Sequence, residues 1–206
     1  MEITINTQSS IKLKDNIIIY FDPYLIKEQT NDADYIFITH DHYDHLDLPS
    51  INNILKDTTK IIIPSSITNS LIDLNNELIL VEPNDNITVD DINIKTIKSY
   101  NINKPYHPKD KNYLGYIITY NNKTYYIMGD TDIIPEIDNI KCDVLFIPIG
   151  GKFTCDYQEA AKYVNKIKPS IVIPIHYGTI VGDISLGESF KELIDKDIEV
   201  ILKLGE

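Results

Sequence analysis

The chain contains no arginine and no tryptophan, and it is poor in positive charge of any kind. Its 19 basic residues are all lysines and stand against 31 acidic residues, so the net charge is −12 at pH 7. Nucleic acids and anionic membranes bind basic surfaces, and this composition therefore argues against both as main partners. Because arginine is absent, only lysines and backbone N–H groups can hold a phosphate or carboxylate group, without a bidentate guanidinium clamp.

Cysteines and long apolar runs are also scarce. Two cysteines, Cys142 and Cys155, in a chain of 206 residues indicate a reducing, cytoplasmic setting rather than a disulfide framework. The first residues show no basic region followed by an apolar run, so we expect no secretion signal, and no apolar stretch approaches membrane-spanning length. Cys142 is expected in the core, whereas Cys155 could stand at the mouth of a pocket or at a helix start.

The hydrophobic pattern predicts many short strands with helices between them. Strands are predicted over residues 3–7, 10–14, 17–21, 34–39, 60–64, 77–81, 87–89, 92–99, 114–120, 123–128, 144–148, 170–175 and 198–203. Helices are predicted over residues 47–56, 65–74, 156–167 and 188–195, and the third begins with a capping box formed by Asp156 and Glu159. Turns are expected at Asp15-Asn16 and Asn121-Asn122. This pattern predicts two sheets in a sandwich with helices outside, in one domain over residues 1–206.

Three of the five histidines stand in one short run, Thr39-His40-Asp41-His42-Tyr43-Asp44-His45. The run follows a predicted strand and precedes a predicted helix, which places it on a loop. On a continuous strand His45 would face away from the other ligand candidates, whereas a loop can bring His40, His42, Asp44 and His45 together. Clustered histidines and aspartates typically bind divalent transition metals, and this run could serve two adjacent ions.

Three further candidates stand at or near the ends of predicted strands, where sites are usually built on β scaffolds. His107 lies in a loop before the strand 114–120, Asp130 follows the strand 123–128, and His176 ends the strand 170–175. Each has a plainer alternative. Asp130 could be an ordinary turn residue, and the two histidines could be hydrogen-bonded residues without a ligand.

In this order and rough spacing, the run and the three later residues resemble the metallo-β-lactamase superfamily over nearly the whole chain. The segments Phe21-Asp22-Pro23, 103–108, 150–154 and 175–178 resemble its small branch of Zn-dependent hydrolases, near the L-ascorbate-phosphate lactonase-like proteins. The resemblance implies an α+β fold, an αββα sandwich of two mixed β-sheets flanked by helices.

The resemblance also implies two divalent metal ions. It places His40, His42 and His107 on the first ion and Asp44, His45 and His176 on the second, with Asp130 bridging both. Asp44 and His176 are expected to act in catalysis as well as in metal binding. Five imidazoles and two carboxylates without a thiolate suit Zn²⁺, the expected metal, and also Mn²⁺ or Fe²⁺.

The residues around these ligands are less determined by the sequence. Asp22 could orient a ligand histidine or cap a turn, and the two readings are equally supported. Lys104, Tyr106, Lys152 and Tyr177 are candidates to contact the substrate or to stabilise its developing charge.

The expected function is hydrolysis of a small ester, lactone, amide or phosphoester by water that two cations activate. Two alternatives stay open: a phosphodiesterase or ribonuclease, against which the acidic charge weighs, and a non-catalytic metal-bound scaffold or sensor. Relatives with a di-iron redox centre usually have glutamate at the position of His42, so histidine there favours hydrolysis. The expected partner is a small-molecule substrate, with no nucleic acid and no membrane. A homo-oligomer is allowed, because a minimal domain often builds its pocket wall from a neighbouring copy.

Overall fold

A computed structural model describes residues 1–71 and 74–204. Contacts between residues divide the chain into two compact units, Met1–Val81 and Glu82–Glu206. The expectation of one domain over residues 1–206 stays a prediction. Within the described ranges, every helix falls short of the length and apolar character that a membrane crossing requires.

The first unit contains a mixed sheet of six strands that pair in chain order. These are β1 (Glu2–Ile5), β2 (Ile11–Lys14), β3 (Ile18–Phe21), β4 (Tyr35–Phe37), β5 (Lys60–Pro64) and β6 (Glu77–Val81). The pairs β1–β2 and β2–β3 are antiparallel, and the remaining neighbours are parallel. Helix α1 (Leu48–Ile54) and a 3₁₀ helix (Ser65–Leu71) belong to the same unit.

The parallel strands of the first unit are mostly apolar, with Lys60 and Glu77 at the starts of β5 and β6. Ile36 and Phe37 of β4 and Ile61 of β5 are fully buried, as expected for parallel strands that are covered on both faces. The rings of Phe21 and Phe37 stack with centroids 4.8 Å apart. This packing holds the ends of β3 and β4 side by side.

The second unit contains a mixed sheet of seven strands. These are β7 (Asn86–Val89), β8 (Ile92–Lys98), β9 (Leu114–Tyr120), β10 (Lys123–Ile127), β11 (Val144–Pro148), β12 (Ile171–Ile175) and β13 (Glu199–Val200). The spatial order is β13-β12-β11-β10-β9-β8-β7. Strands β7 to β10 pair antiparallel in sequence, whereas β10 to β13 pair parallel. The helices are α2 (Tyr157–Ile167), α3 (Leu186–Glu192) and the 3₁₀ helices Lys109–Lys111 and Pro135–Ile137.

Local sequence signals explain several of these boundaries. Asn121 and Asn122 connect β9 to β10 with φ values of 49° and 60°, and asparagine tolerates this left-handed conformation in two-residue hairpin turns. Helix α2 begins with the predicted capping box, in which Asp156 accepts from Glu159 N and Glu159 accepts from Asp156 N. Its C-cap residue, Lys168, lies in the left-handed region, directly before the proline at position 169.

The predicted strands all occur in the predicted order, but some ends differ. The strand predicted over residues 198–203 is only Glu199–Val200, because β13 pairs with β12 alone over this stretch and an apolar pattern reports burial rather than pairing. The helix predicted over 188–195 is Leu186–Glu192. The helix predicted over 65–74 is a 3₁₀ helix in its described part, and residues 72 and 73 of that prediction lie outside the described residues.

A cluster around Asp32 in the first unit gives stability a pH dependence. The carboxylate accepts hydrogen bonds from Lys12 Nζ (2.7 Å), Tyr20 Oη (2.9 Å) and Thr30 Oγ1 (2.6 Å). Burial alone would raise the pKa of Asp32, but these hydrogen bonds outweigh it and hold the pKa below its usual value. The ionised carboxylate therefore stabilises the fold above the unfolded-state pKa of about 3.9, and this stabilisation is lost as the pH falls towards the folded-state pKa.

Asp32→Asn is expected to lower the free energy of unfolding at pH 7 by about 0.5–1 kcal/mol. The difference from the wild type should shrink as the pH falls below about 4, because the wild-type carboxylate is then protonated first in the unfolded state and, at lower pH, in the folded state as well. Urea denaturation at pH 7 and pH 3 measures both values, with Asp57→Asn at an exposed turn position as the matched control. A difference that stays constant across this range would contradict the assignment.

Candidate metal centre

The first group of candidate ligands lies at the carboxyl ends of β3 and β4. These strands are parallel and pair Phe21 with Phe37, so the residues that follow them meet at one edge of the sheet. Asp22 N donates to Phe37 O at 2.9 Å. The chain then leaves β4 and enters the histidine run within three residues.

Asp22 is fully buried and holds this edge together through its carboxylate. Oδ1 accepts from Thr39 N at 2.8 Å, and Oδ2 accepts from Thr39 Oγ1 and from His45 Nδ1, both at 2.7 Å. Burial raises the pKa of Asp22, while the contacts with His45 and Thr39 act in the opposite direction. The sequence left two roles open for Asp22, orienting a histidine or capping a turn. The structure supports both, because the carboxylate orients His45 and also accepts from Thr39 at the start of the loop.

The four candidates of the run converge because β4 ends at Phe37 and the run forms a turn. His45 N donates to His42 O at 3.0 Å. The ring of His40 lies 3.9 Å from that of His45 and 4.6 Å from that of His42, measured between centroids. Asp44 Oδ2 lies 3.8 Å from His45 Nε2. We call these four residues, His40, His42, Asp44 and His45, the first ligand set.

The hydrogen bonds that Nδ1 makes in His40 and His45 determine which ring nitrogen of each can bind a metal. A carboxylate only accepts, so His45 Nδ1 must carry the hydrogen in its bond to Asp22. The Thr39 hydroxyl donates its single hydrogen to Asp22 and therefore accepts from His40 Nδ1 at 2.9 Å. In the neutral ring, both histidines then present Nε2 as the coordinating nitrogen. Sequence reasoning missed Thr39, although its position directly before His40 was a signal.

The second group of candidates lies at one edge of the seven-stranded sheet. Strands β10 and β12 run in the same direction, and β8 shares it because both β8 and β10 are antiparallel to β9. The segments that follow β8, β10 and β12 therefore meet, and they carry His107, Asp130 and His176. Asp130 lies 3.0 Å from His176 Nε2 and 3.5 Å from His107 Nε2 through its Oδ2 atom. We call these three residues the second ligand set.

The second ligand set is almost completely buried, at 3 % exposure or less for each residue. His176 has a φ of 57°, in the left-handed region that histidine enters more readily than most residues. An ideal Cβ atom on Gly150 would lie only 2.5 Å from His176 O. Glycine at position 150 thus lets the backbone after β11 approach the turn that carries His176.

Two of the four residues suggested as substrate contacts, Lys104 and Tyr177, instead make contacts within the protein. Lys104 Nζ donates to Asp132 Oδ1 at 2.6 Å and to Thr154 O at 2.7 Å, and Tyr177 is 1 % exposed within the core of the second unit. Tyr106 and Lys152 remain accessible. Both contact the Phe153 ring, Tyr106 edge-on at 4.6 Å and Lys152 with Nζ 4.9 Å from the centroid.

Both thiols are protonated; Cys155 lies in the core, whereas Cys142 is partly buried and packs against it. Burial raises the pKa of Cys142 to about 12 and that of Cys155 well above its usual value. Cys155 is fully buried and donates to Pro148 O at 3.1 Å. Its position favours a place at the start of a helix over a place at the mouth of a pocket.

The chemistry of the two ligand sets fits divalent metal ions. All seven residues have candidate metal-binding atoms, and they are imidazoles and carboxylates, which suit Zn²⁺, Mn²⁺ and Fe²⁺. His40, His45 and His107 each place Nδ1 against an oxygen of another side chain, on Thr39, Asp22 and Asn101 respectively. Metal-binding histidines almost always have such a partner, because it fixes the tautomer and the ring orientation.

Comparison with known proteins gives consistent matches. The model of the β-lactamase superfamily domain matches residues 2–176. A protein of Thermococcus onnurineus that is named a metal-dependent hydrolase is 31% identical over 202 residues, covering 91% of this chain and 90% of that protein. The solved structure of a candidate metal-dependent hydrolase from Parabacteroides distasonis has a TM-score of 0.81 and 31% identity, covering 97% of this chain and 91% of the other. The metallo-β-lactamase fold protein YhfI of Bacillus subtilis has a TM-score of 0.75 at 13% identity, covering 97% and 90%.

The fold is thus that of the metallo-β-lactamases, an α+β class with two mixed β-sheets and helices, as predicted. The chain belongs to the β-lactamase superfamily, since the family model spans most of its length.

Proposed function

We propose that the protein is a metal-dependent hydrolase that binds two divalent ions with both ligand sets. The first ion would be held by His40, His42 and His107, the second by Asp44, His45 and His176, and Asp130 would bridge them. Relatives that share about a third of the sequence are named metal-dependent hydrolases, which supports the reaction class.

One observation carries this proposal: buried histidines in both ligand sets are oriented through Nδ1 by other side chains. His45 and His40 are held by Asp22 and Thr39, and His107 is held by Asn101. A buried histidine in an ordinary core also hydrogen-bonds, but here three rings share the same Nδ1 pattern and all three also belong to groups of candidate metal ligands. The arrangement supports coordination through Nε2 at each of the three positions.

Zn²⁺ is the metal we expect, and Mn²⁺ and Fe²⁺ also suit these ligands. Such ions lower the pKa of a bound water from about 15.7 towards about 7 and polarise an oxygen of the substrate. Asp44 is 7 % exposed and would accept a hydrogen bond from the attacking water, which orients it. His176, in the second ligand set, would act in catalysis as well as in metal binding, and the turn after β12 holds its ring in place.

We infer a small ester, lactone, amide or phosphoester as the substrate class. Tyr106 and Lys152 are the residues that we expect to contact it, since both are accessible and meet at Phe153. A reducing, cytoplasmic setting fits the two free thiols, Cys142 and Cys155.

Metal analysis combined with a hydrolysis screen tests the proposal. Purified protein is expected to contain two metal ions per chain and to hydrolyse at least one class among lactones, thioesters and phosphodiesters. Asp44→Asn should lower the rate by about 10²-fold or more. Asp41→Asn, at an exposed position of the same run, is the matched control and should not change it. Fewer than one bound ion per chain, or equal rates for the two variants, would contradict the proposal.

A further inference from the structure

Asn101 is joined to His107 by two hydrogen bonds. The backbone N–H of Asn101 donates to His107 O at 2.8 Å. The carboxamide oxygen Oδ1 lies 2.9 Å from His107 Nδ1. Both residues are buried, with exposures of 7 % and 1 %, so the contact is sheltered from water.

The partners of the Asn101 NH₂ group determine which way the carboxamide points. Nδ2 donates to Phe153 O at 2.8 Å and approaches Asp132 Oδ1 at 3.4 Å. A carbonyl and a carboxylate can only accept hydrogen bonds. The NH₂ group must therefore face these two oxygens, and Oδ1 must face the histidine.

The carboxamide orientation in turn decides the tautomer of His107. Because a carbonyl oxygen cannot donate, the hydrogen in the contact between Asn101 and His107 belongs to Nδ1 of the ring. In the neutral imidazole, Nε2 then carries the lone pair. Nε2 is the nitrogen on the side of Asp130, 3.5 Å from its Oδ2 atom.

Asp132 is itself held in place by groups that only donate. It accepts from Ile102 N at 2.7 Å and from Lys104 Nζ at 2.6 Å. Lys104 also donates to Thr154 O at 2.7 Å. A chain of hydrogen bonds thus links Lys104, Asp132, Asn101 and His107. In each of these bonds only one partner can donate.

We propose that Asn101 is the positioning residue that selects the metal-binding tautomer of His107, with Asp132 and Lys104 fixing the orientation of its carboxamide. This inference rests on the proposed role of His107 as a metal ligand. Partners of this kind typically contribute 10- to 100-fold to metal affinity, which sets the size of the expected effect.

Nitrogen-15 NMR of the histidine side chains in chelator-treated wild-type protein tests the tautomer directly. His107 is expected to show a protonated Nδ1 and an unprotonated Nε2. A His107 ring that carries its hydrogen on Nε2 would overturn the inference. This measurement needs neither metal nor activity, and it stands even where a variant fails to fold.

Asn101→Leu removes the acceptor at similar side-chain size, and Asn93→Leu at an exposed position of β8 is the matched control. Titration with Zn²⁺ against a competing chelator is expected to show a 10- to 100-fold weaker affinity for Asn101→Leu alone. The His107 signals of that variant should also lose the pure Nδ1–H pattern. An unchanged affinity and an unchanged tautomer in folded Asn101→Leu would refute the role of Asn101. If the wild type bound no Zn²⁺, the proposed function would be refuted. That outcome is distinguishable, because the His107 tautomer is measured on the metal-free protein.

Discussion

Asp130→Ala is expected to lower the rate of hydrolysis by at least about 10³-fold, the largest loss of activity that we anticipate for a single substitution. Asp130 lies within 3.0 Å of His176 Nε2 and 3.5 Å of His107 Nε2. Its removal leaves His107 and His176, proposed ligands of the first and the second ion, without the carboxylate that would help to neutralise both ions. Metal occupancy should therefore fall together with activity.

Metal content per chain and kcat/KM, measured on the same preparation, check this result. Asp138→Ala is the control, because Asp138 is about half exposed and pairs with Lys166 on the surface. Circular dichroism should show the same secondary structure for both variants, since Asp130 follows β10 rather than forming part of it. Full metal occupancy and wild-type activity in Asp130→Ala would refute the bridging role.

Asp22→Ala is expected to lower the free energy of unfolding by about 3–5 kcal/mol, the largest loss of stability that we anticipate. The fully buried carboxylate accepts from Thr39 N, Thr39 Oγ1 and His45 Nδ1. Alanine would leave these three donors buried without an acceptor, and each such donor costs about 1–3 kcal/mol. Since Thr39 also accepts from His40, the orientation of both histidines should be lost with it.

Urea denaturation of chelator-treated protein measures this effect without a contribution from bound metal. Asp57→Ala, at an exposed turn position, is the control and should change stability by no more than about 0.5 kcal/mol. Asp22→Asn keeps one acceptor oxygen and should fall between the two. Equal stability of Asp22→Ala and Asp57→Ala would show that the carboxylate does not hold this edge.

Much of the fold could be predicted from local signals. The Asn121-Asn122 turn, the capping box of α2 and the apolar strands β5, β6, β9 and β11 occur at the predicted positions. These features depend on neighbouring residues, through φ preferences, end-group hydrogen bonds and burial on both faces of a strand. The predicted ends of β13 and α3 were less accurate, because the position of such an end depends on where a neighbouring strand or helix stops.

The candidate ligands could also be named from the sequence, since imidazoles and carboxylates are few and stand at strand ends. Their partners could not. Asn101 and Thr39 are ordinary polar residues in composition, and the sequence alone leaves Lys104 and Tyr177 as equal candidates for substrate contact. The structure places Lys104 in an ion pair with Asp132 and Tyr177 in the core.

The sequence by itself determined the superfamily, the strand order along the chain and the seven candidate ligands. Only the tertiary structure decided which nitrogen of each oriented histidine is available and which residues hold it there. The reason is that these hydrogen bonds join residues that are distant in the chain or lie on irregular loops. The hydrogen bond from His45 to Asp22 spans 23 residues and requires the parallel register of β3 and β4. No periodicity or local preference encodes such a contact.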